Sequence, residues 1–256
     1  MVLTPADPAG GAWIGPRLAE LGSSLGAIVP RGFEAYVRIL HPVQVDTAAW
    51  VSWADVAARA GTTLEALSPW WRVAGARELH DQVEDEPEEG NLPEHAFRVL
   101  VEHLAAESGW DAPCVSAVWH GWGHLHDSGK AMFAWRDDGS PIPEPPKPPV
   151  GPYSREVLEG PTLELPAREY FTFACALATA DAPCRYDQWR AGDLAGWQSP
   201  QLLWPLDRSW CVATEVDYDS TLVGGSLPLI EALHADPRFE SFRVEASDAI
   251  DYGSAE

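Results

Sequence analysis

Nine residues, Ser209 to Asp217, restrict the fold of this chain more than any other stretch. They read Ser-Trp-Cys-Val-Ala-Thr-Glu-Val-Asp. In a strand, alternate residues share a face, so Cys211, Ala213, Glu215 and Asp217 project to one side and Trp210, Val212, Thr214 and Val216 to the other. Apart from Thr214 and the acids at the end, both sets are apolar. A strand apolar on both faces has to be covered on both, which places it in the middle of a sheet.

The surrounding sequence supplies partners and covers for such a sheet. Gly32 to Val43 alternates and is rich in strand formers, and Pro42 ends it. Cys114 to Trp122 and Arg168 to Leu177 read as two further strands, and Phe239 to Val244 as an edge strand. Helical spacing predicts a short helix through Ile14, Leu18, Leu21 and Leu25, interrupted by Gly22 and Gly26. Ser52 reads as the cap of a helix stopped by Gly61. The clearest helix opens at Asn91, where Asn91 and Glu94 form a capping-box pattern. Phe97, Leu100, Val101 and Leu104 give it one apolar stripe, and Gly109 closes it. Gly224-Gly225-Ser226 reads as a turn that opens a last helix capped by Ser226.

Seven prolines fall between Asp137 and Pro152, which excludes both helix and central strand and predicts a surface loop within one domain. The first dozen residues are expected to be disordered, and the acidic tail after Glu245 to be loose. The expectation is therefore a single α+β domain. Its sheet is mixed or mostly antiparallel, with about five or six strands and three to five flanking helices.

The formal charge is −22, from 17 Lys and Arg against 39 Asp and Glu. Long-range repulsion argues against nucleic acid or an anionic membrane as partner and suits a basic protein, a polyamine or a metal ion. No apolar run reaches the roughly 18–20 residues of a membrane span. The N-terminus lacks a secretory signal, and the four cysteines form no CxxC pair. A reducing cytoplasm is the expected setting.

Chemistry is sparsely signalled. Glu215 shares a face with small apolar residues, so it is either ion-paired, to Arg208 or Arg168, or part of a carboxylate cluster with Asp217 and Asp219 suited to acid–base work or a hard cation. The Gly224–Ser226 segment would expose backbone N–H groups to an anion, although it lacks the lysine of a phosphate-binding loop. His120, His124 and His126, with Asp127, have a spacing compatible with zinc, against the alternative of a polar hairpin end. No Gly-x-Ser-x-Gly elbow is present, and no Cys has a His partner within a motif.

The segment from Ser199 to Gly225 resembles a family of uncharacterised soluble bacterial proteins. The likeness is carried by Trp204-Pro205, Asp207-Arg208, Trp210 to Glu215, Asp217, Asp219 to Thr221 and Val223 to Gly225. It extends to Arg168-Glu169-Tyr170 and to Val118 to Gly123, where relatives are expected to carry an acid in place of His120. The resemblance implies no activity and no cofactor.

Two functions follow as expectations. The first is a non-enzymatic binding protein, of the antitoxin or immunity kind, whose acidic surface and exposed Trp occlude a basic partner. The second is a small-molecule pocket lined by Trp204, Arg208, Glu215, Gly224, Gly225 and Ser226. There Arg208 would hold an anion, and Glu215, with Asp217, would supply the base.

Overall fold

The computed structural model describes residues 3–46, 49–75, 86–126, 153–186 and 196–250. The Pro-rich stretch 137–152 and the last six residues lie outside that set, as do residues 81–85 of the acidic run from Asp81 to Glu89, which reads in the sequence as a solvated loop or a charged approach to the next helix. Five α-helices and twelve strands are present among the described residues. Eight strands make one sheet, in the order β12 (Ser241–Val244), β1 (Ala35–Leu40), β11 (Ser220–Gly225), β10 (Cys211–Thr214), β9 (Leu202–Pro205), β4 (Pro113–Trp119), β6 (Arg168–Ala176) and β5 (Leu163–Leu165). Every pairing in it is antiparallel. Two small ribbons, β2 (Val43–Asp46) with β3 (Ala49–Val51) and β7 (Arg185–Tyr186) with β8 (Gly196–Trp197), complete the strands. The fold is a single-domain α+β structure, with a wider sheet than the five or six strands expected.

β10 is central, with β11 on one side and β9 on the other. Its two side-chain sets enter different cores, as the alternation requires. Trp210 and Val212 join Val37, Leu203 and Val223 beneath α3 (Glu94–Ser108) and α5 (Leu227–Ala235), where Leu100, Leu104, Ile230 and Leu233 complete one layer. Cys211 and Ala213 face the opposite core, with Leu202, Trp204 and Leu222. That second face is covered by irregular N-terminal chain carrying Ile14, Leu25, Ile28 and Val29.

Several expectations change here. Residues 14–25 contain only 3-10 turns, Gly15–Arg17 and the start of Leu25–Ala27, and Leu21 is exposed. The two glycines interrupt the helical period, so burial of Ile14 and Leu25 is reached by separate turns. The first dozen residues, expected to be disordered, are pinned from Leu3 onward. Ala6 N–H donates to the Thr172 carbonyl, Ala174 N–H donates to the Thr4 carbonyl, and Pro8–Gly11 forms a turn capped by Asp7. Asn91 does not cap α3. Its amide oxygen accepts from Ser199 N–H at 2.7 Å, its amide nitrogen donates to the Trp197 carbonyl, and Pro93 occupies the cap position.

The strands β5, β9 and β11 are not among those read from the sequence, and β11 ends in the Gly224-Gly225 segment that reads as a turn. Gly224 and Gly225 belong to β11 and are glycine for packing. A Cβ on Gly224 would lie 2.6 Å from the Phe33 ring, and one on Gly225 would lie 2.9 Å from Leu229. Close approach of a neighbour explains glycine within a strand as well as a turn does. The Ser226 cap stands as expected: its side chain accepts from Leu229 N–H, and Pro228 lies in the first turn. In α1 (Trp53–Ala60), Ser52 accepts from Asp55 N–H and Gly61 takes φ 70° to end the helix. A distant carboxylate adds to that cap, Glu240 accepting from Trp53 N–H at 2.6 Å and from Ala54 N–H at 2.8 Å.

Candidate binding cleft

A cleft of about 220 Å³ opens where the β10–β11 hairpin turn meets β1, α2 (Trp70–Val73) and the end of the acidic run. Its lining includes Arg38, Trp70, Trp71, Glu86, Glu89, Asp217, Tyr218 and Asp219. Arg38 organises the floor. It stands in a strand whose six residues are all buried, and is itself 1% exposed. A guanidinium so placed has to be paired and hydrogen-bonded throughout. Its Nε donates to Ser220 Oγ at 2.8 Å, one terminal nitrogen donates to the Ala66 and Ser68 carbonyls, and the other donates to Asp219 Oδ1 at 3.0 Å. The Trp53 and Tyr218 rings lie 5.4 and 5.1 Å from the guanidinium carbon, close enough for cation–π attraction. Burial pushes the Asp219 carboxyl upward, against the pull of Arg38 and Ser220.

Behind this pair lies His41, fully buried at the end of β1. Its Nδ1 donates to the Glu88 carbonyl at 2.7 Å, which leaves Nε2 to accept from Thr221 Oγ1 at 3.0 Å. Thr221 in turn shares a hydrogen bond with Thr214 across the β10–β11 pair. Burial holds the ring neutral, with its pKa lowered to about 4. Trp53 Nε1 donates to the His41 carbonyl and Gly90 N–H to the Tyr218 carbonyl. The acidic segment is thereby fastened to the hairpin turn.

The mouth of the cleft is acidic and aromatic. Asp217 is engaged by Arg168, whose guanidinium bridges Glu215 at 2.8 Å and Asp217 at 2.6 Å. Glu86 and Glu89 have no cationic partner among the described residues. Burial raises the Glu89 pKa, and repulsion from Asp219, Asp217 and Glu86 adds to it. Trp70 packs edge-on against Trp53, with ring centroids 5.1 Å apart. The indole N–H groups of Trp70 and Trp71 are buried and make no hydrogen bond among the described residues.

The residues expected to line one pocket are not brought together. Cys211 is opposite Gly224 and Thr214 is opposite Thr221, so Arg208 and the Gly224–Ser226 segment lie at one end of β10 and Glu215 lies beyond the other. Trp204 is 1% exposed within the second core, edge-on to Trp13. Arg208 is exposed, at φ 61°, with its guanidinium over the Trp13 ring. Gly224 and Gly225 are inside a strand, and Ser226 Oγ donates to Glu107. Glu215 has the ion-pair reading, with Arg168 rather than Arg208 as its partner. Of the carboxylate cluster, Asp217 and Asp219 do reach one cleft, Asp219 held there by Arg38.

Among the described residues His120, His124 and His126 are not placed together to hold a metal ion. His126 Nε2 donates to the His120 carbonyl at 2.6 Å, and both rings pack on Phe171. His124 stacks on Trp122, and burial lowers its pKa to about 4. Among the described residues no group of three or more His, Cys, Asp or Glu is placed to hold a metal ion; Asp127 lies outside that set. None of the described helices is long and apolar enough to cross a membrane.

Arg38, His41 and Tyr218 carried no weight in the sequence. One signal was available: an arginine between Val37 and Ile39, in a strand that the hydrophobic pattern buries, needs a buried acceptor. Models of known protein families, curated proteins and solved structures were all compared with the chain, and none matches it.

Proposed function

We propose that the chain is an acidic binding module that seats a basic side chain of a partner protein in the Arg38–Asp219 cleft. The observation that carries this reading is the pair of carboxylates, Glu86 and Glu89, that have no cationic partner among the described residues, beside Trp70, Trp71 and Tyr218 in a cleft of about 220 Å³. Acids at a mouth flanked by aromatic faces suit a guanidinium or ammonium group. The volume falls below the roughly 300–1,000 Å³ of sites for drug-sized ligands, which favours a single side chain as occupant. A net charge of −22 would steer a basic protein toward this surface and speed its association. Occlusion of a basic partner, in the manner of an antitoxin or immunity protein, is the corresponding role. The small-molecule alternative would need Glu215 beside Arg208 and the Gly224–Ser226 segment, and the strand register sets Glu215 at the other end of β10 from both.

The test is titration calorimetry at low salt with an arginine-rich peptide, its lysine counterpart and spermidine, against the wild type, Trp71→Ala and the double variant Glu86→Gln with Glu89→Gln. Peptide affinity should fall at least about tenfold in both variants, a loss of about 1.4 kcal/mol. Equal affinity across all three proteins would reduce the acidity to a solubility device. Spermidine binding as tightly as the peptides would make the cleft a small-cation site instead.

A further inference from the structure

We infer that Cys114 and Cys175 form a reversible modification site, closing to a cross-strand disulfide when the protein meets a low-molecular-weight disulfide such as oxidised glutathione. The two residues are direct partners in the antiparallel β4–β6 ladder. Directly opposed residues point to the same face, and both pack against the core beneath α3 and α5. Cys175 Sγ lies 3.7 Å from the Cys114 carbonyl oxygen. Both thiols are free.

The register also sets the character of the bond. His120 N–H donates to the Glu169 carbonyl and Leu177 N–H to the Ala112 carbonyl. Both pairs keep the same register as Cys114 with Cys175, and each is separated from it by an even number of residues, so the cysteines are a hydrogen-bonded pair. Such pairs have Cα atoms about 5.5 Å apart, within the range that a disulfide spans. Their Cβ atoms stand near the wide end of the cross-strand range, beyond the roughly 3.8 Å that a relaxed disulfide prefers. The cross-link therefore forms under strain. Strained disulfides are the readily reduced, responsive kind rather than permanent staples.

Access decides the order of events. Cys175 is half-buried and Cys114 fully buried. The Cys175 thiolate attacks the glutathione disulfide, forms a mixed disulfide and releases one glutathione. The Cys114 thiolate then attacks Cys175 Sγ, forms the Sγ–Sγ bond and releases the second. The two cysteine protons leave with the two glutathione thiols. The reagent gains the two electrons that the cysteines lose. Burial pushes the thiols up, Cys114 to about 12 and Cys175 to about 11, so closure is slow at neutral pH and accelerates in alkali.

Intact-mass analysis and peptide mapping of the full chain after incubation with oxidised glutathione at pH 8.5 test this. The expected product is lighter by two hydrogens, carries a Cys114–Cys175 peptide and reverts with excess reduced glutathione. Cys114→Ala should stop at the glutathione adduct on Cys175. A persistent adduct on Cys175 of the wild type would overturn the inference. So would an unmodified chain or a link from Cys175 to the nearby Cys184.

Discussion

Arg38 shows how one residue ties distant chain together: its four polar contacts reach Ala66, Ser68, Asp219 and Ser220. Removing one member of a buried pair leaves the other charged and without compensation. Arg38→Met should therefore destabilise the fold by about 3–5 kcal/mol. Adding Asp219→Asn to that variant should restore much of the loss, and urea unfolding of the two variants would show whether the pair or the packing dominates. His41 makes a second prediction. Its pKa of about 4 in the fold lies below the ordinary value, so protons bind the unfolded chain first. Stability is full above about pH 6.5, falls as the pH drops toward 4 and levels off below, a change on the order of 3 kcal/mol. The urea stability of His41→Gln should lack that component. Parallel pH profiles of the two proteins would remove it from the account.

The helices and strands were legible to different degrees, and the differences have local causes. α1 and α5 follow their caps, because Ser52 and Ser226 act on N–H groups three residues away. The α3 cap failed because Asn91 is taken by Ser199 and Trp197, more than 100 residues distant. β11 was obscured by two glycines whose reason is the Phe33 ring and Leu229. The Ser226→Ala substitution should cost about 1 kcal/mol in thermal or urea unfolding, as a lost helix cap does, and should leave peptide binding at the cleft unchanged. Gly224→Ala drives a methyl group into the Phe33 and Tyr36 rings. It should destabilise by about 1–3 kcal/mol, the usual cost of overpacking, again without reaching the cleft.

For the molecule as a whole the dominant quantity is its charge. Self-repulsion among 39 acids and 17 bases opposes folding and is screened by salt. The thermal midpoint should rise as NaCl increases from about 10 mM to about 500 mM, over which the screening length shrinks from about 30 Å to a few ångströms. A flat response would mean that local pairs such as Arg168 with Glu215 already balance the field. Peptide binding at the cleft should respond in the opposite direction, weakening with salt. It should also weaken on acidification at a pH above the usual glutamate range, because Glu89 takes up its proton early. Glu89→Gln should bring that pH dependence back toward the ordinary range.

Side-chain periodicity and short-range capping chemistry settled which residues are strand or helix over β1, β4, β6, β10, α1 and α5, and that β10 lies at the centre of its sheet. They work because alternation and caps act within a few residues, and because burial on two faces leaves no other position. Neighbours are a different kind of information. The cleft joins Arg38, Trp70, Glu89 and Asp219, and the Arg38–Asp219 pair spans 181 positions of sequence. Periodicity names the face on which a residue lies but not the strand beside it. The register of β1 against β11 brings Arg38 to Asp219, and the register of β10 against β11 parts Arg208 from Glu215.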